Sequence, residues 1–165
     1  MGGFRFVLPV LLFSVAACSS PAPPPPPAPP ADCARYESGP VEPALGHRAF
    51  VLTLTNCGTA ARAVSGYPDV QVLGPEGEVL DVRVERGSSY MAIDPGPGTF
   101  ALAPGKSLVT AVSWANTVTD GEIVTGSALT VASKPREAPR QLPVETDLGT
   151  TGEITVTAWA PEPAR

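Results

Sequence analysis

The sequence has no apolar run of the roughly 20 residues that a membrane-spanning helix needs. From Asp32 to Ala160, no stretch sustains the i, i+3, i+4, i+7 apolar stripe of an amphipathic helix. There is one histidine, His47, and neither a Gly-x-Ser-x-Gly elbow nor a Ser-x-x-Lys pair accompanies it. A histidine-based triad therefore lacks its nucleophile, and His47 reads as a polar residue at a sheet rim. Basic residues are also scarce: 11 Lys and Arg stand against 16 Asp and Glu, a net charge of −5. That balance excludes a phosphate-tracking basic stripe, so no nucleic-acid partner is expected. It also argues against docking on anionic lipid by charge.

The carboxylates are scattered singly, which suits solvated faces better than an acid/base pair. Asp120-Gly121-Glu122 lacks the alternating oxygen ligands of a calcium loop. Gly96 and Gly98 alternate with Pro95 and Pro97, which removes the free N–H groups a phosphate cradle needs. The chain is not expected to be an enzyme, and no cofactor and no metal site are expected.

Proline is abundant: 21 of 165 residues, about twice the usual share. Much of it lies in one place. Residues 1–17 have the form of a signal peptide, with Arg5 in a short positive region and an apolar stretch from Phe6 to Phe13. Val15-Ala16-Ala17-Cys18 resembles the bacterial lipobox, which implies lipidation of Cys18. From Ser19 to Ala31, eight of 13 residues are proline. Such a run extends as polyproline II at about 3.1 Å per residue, a stalk of roughly 40 Å. Residues 18–31 are thus read as lipidated Cys and stalk, residues 32–160 as the folded domain, and residues 161–165 as a tail. The location implied is the extracytoplasmic face of a cell membrane, with the membrane itself a partner through the N-terminal lipid.

The domain is organised around Ala49 to Gly58. Phe50, Leu52 and Leu54 alternate with Val51, Thr53 and Thr55, the period of a half-buried strand. Asn56 and Gly58 are expected to end it because both tolerate φ > 0. Cys57 closes this strand and Cys33 opens the one before it. A Cys33–Cys57 disulfide is expected in an oxidising compartment. Met91 and His47 are then the soft metal ligands left in the domain, too few to suggest a metal site from sequence.

Asp69–Leu73 and Glu78–Val84 read as a hairpin around Pro75-Glu76-Gly77, with Val72 opposite Leu80 and Val70 opposite Val82. Ala103-Pro104-Gly105-Lys106 is a type II turn by residue choice, better suited to a corner between sheets than to a hairpin. Further strands are expected at Cys33–Glu37, Arg62–Gly66, Thr99–Ala103, Ser107–Trp114, Ser127–Ala132 and Gly152–Trp159. Residues 39–46 read as an irregular link, and Asn116–Gly126 as a loop. The pattern predicts an all-β, immunoglobulin-like antiparallel β-sandwich of about eight or nine strands.

Several of these features resemble one known family when taken together: the lipobox, the proline stalk, the first-strand Cys33, and Leu52-Thr53-Leu54-Thr55-Asn56-Cys57. Gly66-Tyr67-Pro68, Gly77, Leu102-Ala103-Pro104-Gly105 and Trp114 complete the set. It is similar to the secreted actinobacterial lipoproteins that carry domain of unknown function 4232. The resemblance implies extracytoplasmic location and fold, and no shared catalytic site. Members often carry a second cysteine pair around the strand after the Leu-Ala-Pro-Gly turn. It is missing here, so the loop Asn116–Gly126 must be held by other means.

The functional expectation is a non-catalytic module that binds an envelope protein or glycan. A protease-inhibitor-like module and a small-molecule or metal carrier are the alternatives. The long loop after Glu85 carries Tyr90, Met91 and Ile93 in a charge-free stretch from Gly87 to Ile93. Tyrosine and methionine are enriched in interface cores, so these three are the candidate interaction residues; covering an open sheet edge or the end of the core is their simpler role. Cys18→Ser is expected to abolish lipidation and either stall processing or release the protein to the medium. Membrane-bound mutant protein of unchanged mass would refute the lipobox reading.

Overall fold

Phe50, Leu52 and Leu54 turn inward, each exposed by 2% or less, and Val51, Thr53 and Thr55 face out. These residues belong to a strand that pairs with a second one, from His47↔Ala115 to Thr55↔Ser107, over nine residues. That second strand alternates in the same way: Leu108, Thr110, Val112 and Trp114 are buried on the inner side. The pair is the centre of the fold seen in the computed structural model, which describes residues 2–3, 30–134 and 136–163. Cys18, most of the leader and the stalk through residue 29 lie outside the described residues.

Thirteen strands and no helix occur among the described residues. They are β1 (Ala34–Ser38), β2 (Glu42–Ala44), β3 (His47–Asn56), β4 (Arg62–Ser65), β5 (Asp69–Leu73), β6 (Arg83–Arg86) and β7 (Thr99–Leu102). β8 (Ser107–Ala115), β9 (Val124–Gly126), β10 (Ala128–Ala132), β11 (Arg140–Leu142), β12 (Thr146–Gly149) and β13 (Glu153–Val156) follow. The main sheet runs β1-β3-β8-β13-β6, with β2 also on β3. Smaller sheets β11-β10-β5, β12-β9 and β4-β7 supply the rest of the sandwich. One core joins them, in which Phe50, Leu52 and Val112 of the main sheet meet Val72, Leu129 and Leu148. Trp159 is fully buried there, and Phe50 and Trp114 meet edge to face with ring centroids 6.3 Å apart.

The sandwich has more strands than alternation predicts. β2, β9, β11 and β12 have only three or four residues each, too few for a period of two to show. The link expected at residues 39–46 is in fact a hairpin. Ala44 pairs with His47 around Leu45 (φ 48°) and Gly46 (φ 81°), the two-residue turn that matches strand twist. The loop expected over Asn116–Gly126 ends in β9.

The 69–84 hairpin has the expected register but is short. Gly74 N–H donates to Glu78 O and Leu80 N–H to Val72 O, both at 2.9 Å, with Leu73 bridged to Val79. A tight turn then links Val82 N–H to Leu80 O, and the chain leaves β5 before Val82 can meet Val70. β5 takes β10 as its ladder partner instead. The departing segment becomes β6 and pairs parallel with β13, a departure from the all-antiparallel expectation. Val82 and Val84, half-buried against the core, draw it across to the main sheet.

Asn56 ends β3 by side-chain hydrogen bonds, not through a positive φ. Its amide donates to Ala60 O and Leu102 O and accepts from Gly58 N–H. Gly58 is required for close approach: a Cβ there would meet Ala31 O at 2.3 Å. Thr157, which strand alternation with Ile154 and Val156 would put on the outer face, is buried. The β13–β8 register slips by one residue between Val156↔Val112 and Ala160↔Val109, a bulge beside which Thr157 is enclosed with Ile93 and Pro95 of the loop that follows β6. Its hydroxyl accepts the Ala111 N–H at 2.9 Å, so no ladder donor is lost.

The Cys33–Cys57 disulfide is present, with Cα atoms 4.9 Å apart. Closing a loop over a sequence separation of 24 contributes about 3.5 kcal/mol through chain entropy. Arg62 lies beside it, with a side chain only 4% exposed. Its guanidinium contacts Glu137, Asp32 and, at 3.0 Å, the Ser133 hydroxyl. Tyr36 donates to Glu137 Oε2 at 3.1 Å, and burial, ahead of the neighbouring Glu137 charge, pushes the Tyr36 hydroxyl up to about 12. These groups tie β1, β4 and the 133–137 turn to the entry of the domain. Arg62→Ala leaves Glu137 charged and half enclosed, so a loss of about 3–5 kcal/mol is expected in denaturant unfolding. Adding Glu137→Ala should recover part of that loss; an equal or larger loss would show that the pair is not the source.

Candidate functional site

Part of the outer face of the central strands is made of small side chains: Ala49 on β3, and Ala111, Ser113 and Ala115 on β8. They leave room for the segment after β6. Residues 89–95 run along this shelf. Ser89, Tyr90 and Met91 border a hollow with Ser113 and Ala115; Met91 and Ala92 border the next with Ala49 and Ala111. Ile93 and Pro95 border a third hollow with Val109 and Ala160. The loop thus covers a sheet face, where the simpler sequence reading had its side chains covering an open sheet edge or the end of the core.

Hydrogen bonds fix its course. Ser89 N–H donates to Ala92 O at 2.8 Å, and the Ser89 hydroxyl accepts the Met91 and Ala92 N–H groups at 3.2 Å. Tyr90 and Met91 sit at the apex of this small turn. Asp94 is the pin. Its carboxylate accepts the Ala158 N–H and the Tyr67 hydroxyl, each at 2.7 Å. Burial works to raise the Asp94 carboxyl, but those donors and the Gly96 N–H outweigh it and hold it below the ordinary value. The Arg86 guanidinium lies 5.6 Å from the Tyr67 ring centroid, closing the base of the loop.

At the other end of the loop, the Tyr90 ring stacks on His47, centroids 4.5 Å apart and planes 17° from parallel. The stack walls a cleft of about 260 Å³, bordered also by Met91, Trp114, Thr155 and Glu153. Glu153 is ion-paired with Arg83, which also lies 3.2 Å from Glu85. The Trp114 indole N–H donates to Asp147 at 2.8 Å, and Asp147 also accepts from Asn116 and pairs with Arg48 at 3.2 Å.

Of the three candidate residues, Tyr90 and Met91 therefore share one cleft, and Ile93 faces a different hollow two residues on. Their exposure is unequal as well: Tyr90 and Ile93 are exposed and Met91 is half-buried. His47, read as a rim residue, is part of the cleft wall. Other exposed apolar side chains gather near it. Leu45, 87% exposed, caps the β2–β3 turn immediately before His47. Val118 and Ile123 are exposed on the β8–β9 loop, whose Asn116 N–H donates to Gly46 O at 2.9 Å. Thr119 N–H donates to the Thr150 hydroxyl and Thr150 N–H to Thr117 O, both at 2.9 Å. Threonine contacts thus do for this loop what a second disulfide would do. Gly149 makes the contact possible: at φ 56°, a Cβ would meet Thr117 O at 2.2 Å. The sequence reading missed Leu45, Val118 and Ile123. Its one available signal was a leucine before Gly46 where asparagine or glycine is usual.

A family model described as a domain of unknown function (DUF4232) matches residues 31–160. The chain belongs to the DUF4232 family. No curated protein and no solved structure matches it. The matched span of the DUF4232 domain contains the disulfide, the pinned loop and the loop end around Leu45.

A carboxylate whose folded pKa is lowered contributes stability above its unfolded value, near 3.9, and that contribution is lost as pH falls through the folded value. For Asp94 the sign predicts that acid loosens residues 87–98. The Ala158 amide NMR shift should titrate with a midpoint below that of a free aspartate. Asp94→Asn should remove that titration and speed Ala158 amide exchange about tenfold or more. An Ala158 amide indifferent to both would mean that Asp94 does not hold the loop.

Proposed function

We propose that the protein is a non-catalytic binding module, lipid-anchored outside the cytoplasm, which engages a protein partner through the loop end around Leu45. The observation that carries this reading is that four exposed apolar side chains, Leu45, Tyr90, Val118 and Ile123, lie on segments joined at this end of the sandwich: Tyr90 stacks on His47, Asn116 N–H donates to Gly46 O, and Gly149 lies against Thr117 and pairs with Val124. Leu45 is also held at positive φ, a conformation that disfavours a side chain branched in this way. An exposed, conformationally costly leucine is better explained by contact than by stability. Tyrosine adds a rigid amphipathic contact of the kind found at binding hot spots.

Charge and position support a protein partner. Segments 42–46, 87–93 and 116–123 contain Glu42, Asp120 and Glu122 and no Lys or Arg. This suits a partner with an apolar patch ringed by basic side chains and opposes an anionic lipid surface. The loop end also lies at the His47 end of β3. The domain entry, tied by Cys33–Cys57 and by Asp32–Arg62, lies at the Asn56 end. Nine steps of strand separate the two by roughly 30 Å. A lipid tether at one end would thus leave the apolar end free to face outward. The disulfide and the Val-Ala-Ala-Cys leader support the extracytoplasmic location.

The test is photo-crosslinking in cells with benzoylphenylalanine at Leu45 or Val118, and at exposed Gln71 as control. The same partner is expected from both loop positions and not from Gln71. Tyr90→Ser should cut the adduct at least tenfold with little change in melting temperature, since Tyr90 is largely solvated. Adducts spread equally over all three positions, or none at the loop end, would place the binding face elsewhere.

A further inference from the structure

We propose that the cleft between His47 and Met91 binds a soft monovalent metal ion, Cu(I) or its analogue Ag(I). The chain has one histidine and, besides Met1, one methionine. They are 44 positions apart in sequence, and the fold sets both in the wall of one cleft of about 260 Å³. From sequence the pair counts as too few ligands for a metal site; a soft monovalent ion needs no more than these two.

Each donor is available. The His47 ring is held by stacking on Tyr90 through its face, which leaves the ring nitrogens at the edge free to ligate. No hydrogen bond joins them to another described residue; the bond at His47 uses its backbone oxygen. Met91 is half-buried at the apex of the turn whose backbone Ser89 fixes, and its side chain borders the same cleft as His47. Thioether sulfur binds Zn²⁺, Mg²⁺ and Ca²⁺ poorly and Cu(I) well, and imidazole suits copper, so the pair selects by softness. A two-donor set suffices for a d¹⁰ monovalent ion, which accepts low coordination numbers. Among the described residues no three His, Cys, Asp or Glu side chains gather as a harder site. The Glu153 carboxylate borders the cleft but is ion-paired with Arg83, so the affinity is left to the two soft donors. Cys33 and Cys57 are spent in the disulfide, so no thiolate of the domain competes.

The site is independent of the partner-binding reading and is tested without a partner. The probe is Ag(I) added to the full chain carrying Cys18→Ser, with Cys33 and Cys57 oxidised, so that no free thiol remains. The His47 ring signals and the Met91 methyl signal should shift together and saturate at one equivalent. In a Cu(I) competition against a chromophoric chelator, Met91→Leu should weaken binding at least tenfold and His47→Gln should abolish it. Both variants should keep the core methyl spectrum. Three results would overturn the proposal: an unmoved Met91 methyl at saturation, Met91→Leu with unchanged affinity, or tighter binding of Cu(II) at His47 with Met91 silent.

Discussion

The nine-residue pairing of β3 with β8 is the constraint on which the other parts depend. A strand alternates faces at every residue, so one register decides two surfaces at once. With His47 opposite Ala115 and Phe50 opposite Val112, the bulky members of both strands face the core. The small members, Ala49, Ala111, Ser113 and Ala115, face out together. A slip of one residue would put Phe50 and Trp114 on the surface and leave no shelf for the 87–98 loop. The chain does use such slips elsewhere: beyond Val156, where Trp159 is buried, and between Asp147 and Gly149 in the β12–β9 pair.

Polar ties hold what the apolar core does not reach. Asp94 anchors the loop through backbone and tyrosine donors. Arg62 and Glu137 fasten the domain entry. Asp147 gathers the Trp114 indole, Asn116 and Arg48 at the loop end. Burial works to raise the Asp94, Glu137 and Asp147 carboxyls, but hydrogen-bond donors, joined at Glu137 and Asp147 by an arginine charge, hold each below its ordinary value. Hydrogen bonds to a charged group contribute about 1.5–3 kcal/mol each where water is excluded, as at Glu137, and less at Asp147, whose side chain is half exposed and screened. Unlike the disulfide, these ties fail together as acid protonates the carboxylates. The exposed Arg83–Glu153 and Arg35–Glu37 pairs contribute much less, because water screens them.

The two ends of β3 carry different work. At the Asn56 end, Asn56, Gly58 and the disulfide lock the chain as it enters the domain. At the His47 end, two short turns and a pinned loop present apolar side chains without a ladder to shield them. Separating a rigid entry from an exposed apex lets the apex vary in sequence without loss of the fold.

Some of this was legible in the residues alone. The alternation of β3, β8 and β10, the Gly74–Glu78 register, the corner at Pro104-Gly105 and the pairing of Cys33 with Cys57 follow from local chemistry: side-chain period, turn preference and thiol count. The membership of a sandwich follows from the same signals repeated along the chain. The site does not. β2 and β12 are too short to show a period, and the parallel β6–β13 pairing depends on where Val82 and Val84 find the core. The nearness of His47 to Tyr90 and Met91, and of Gly46 to Asn116, arises from strands folded over one another. Sequence patterns report which way a residue faces relative to its neighbours in the chain. Only packing the sheets decides which distant residues then share a surface.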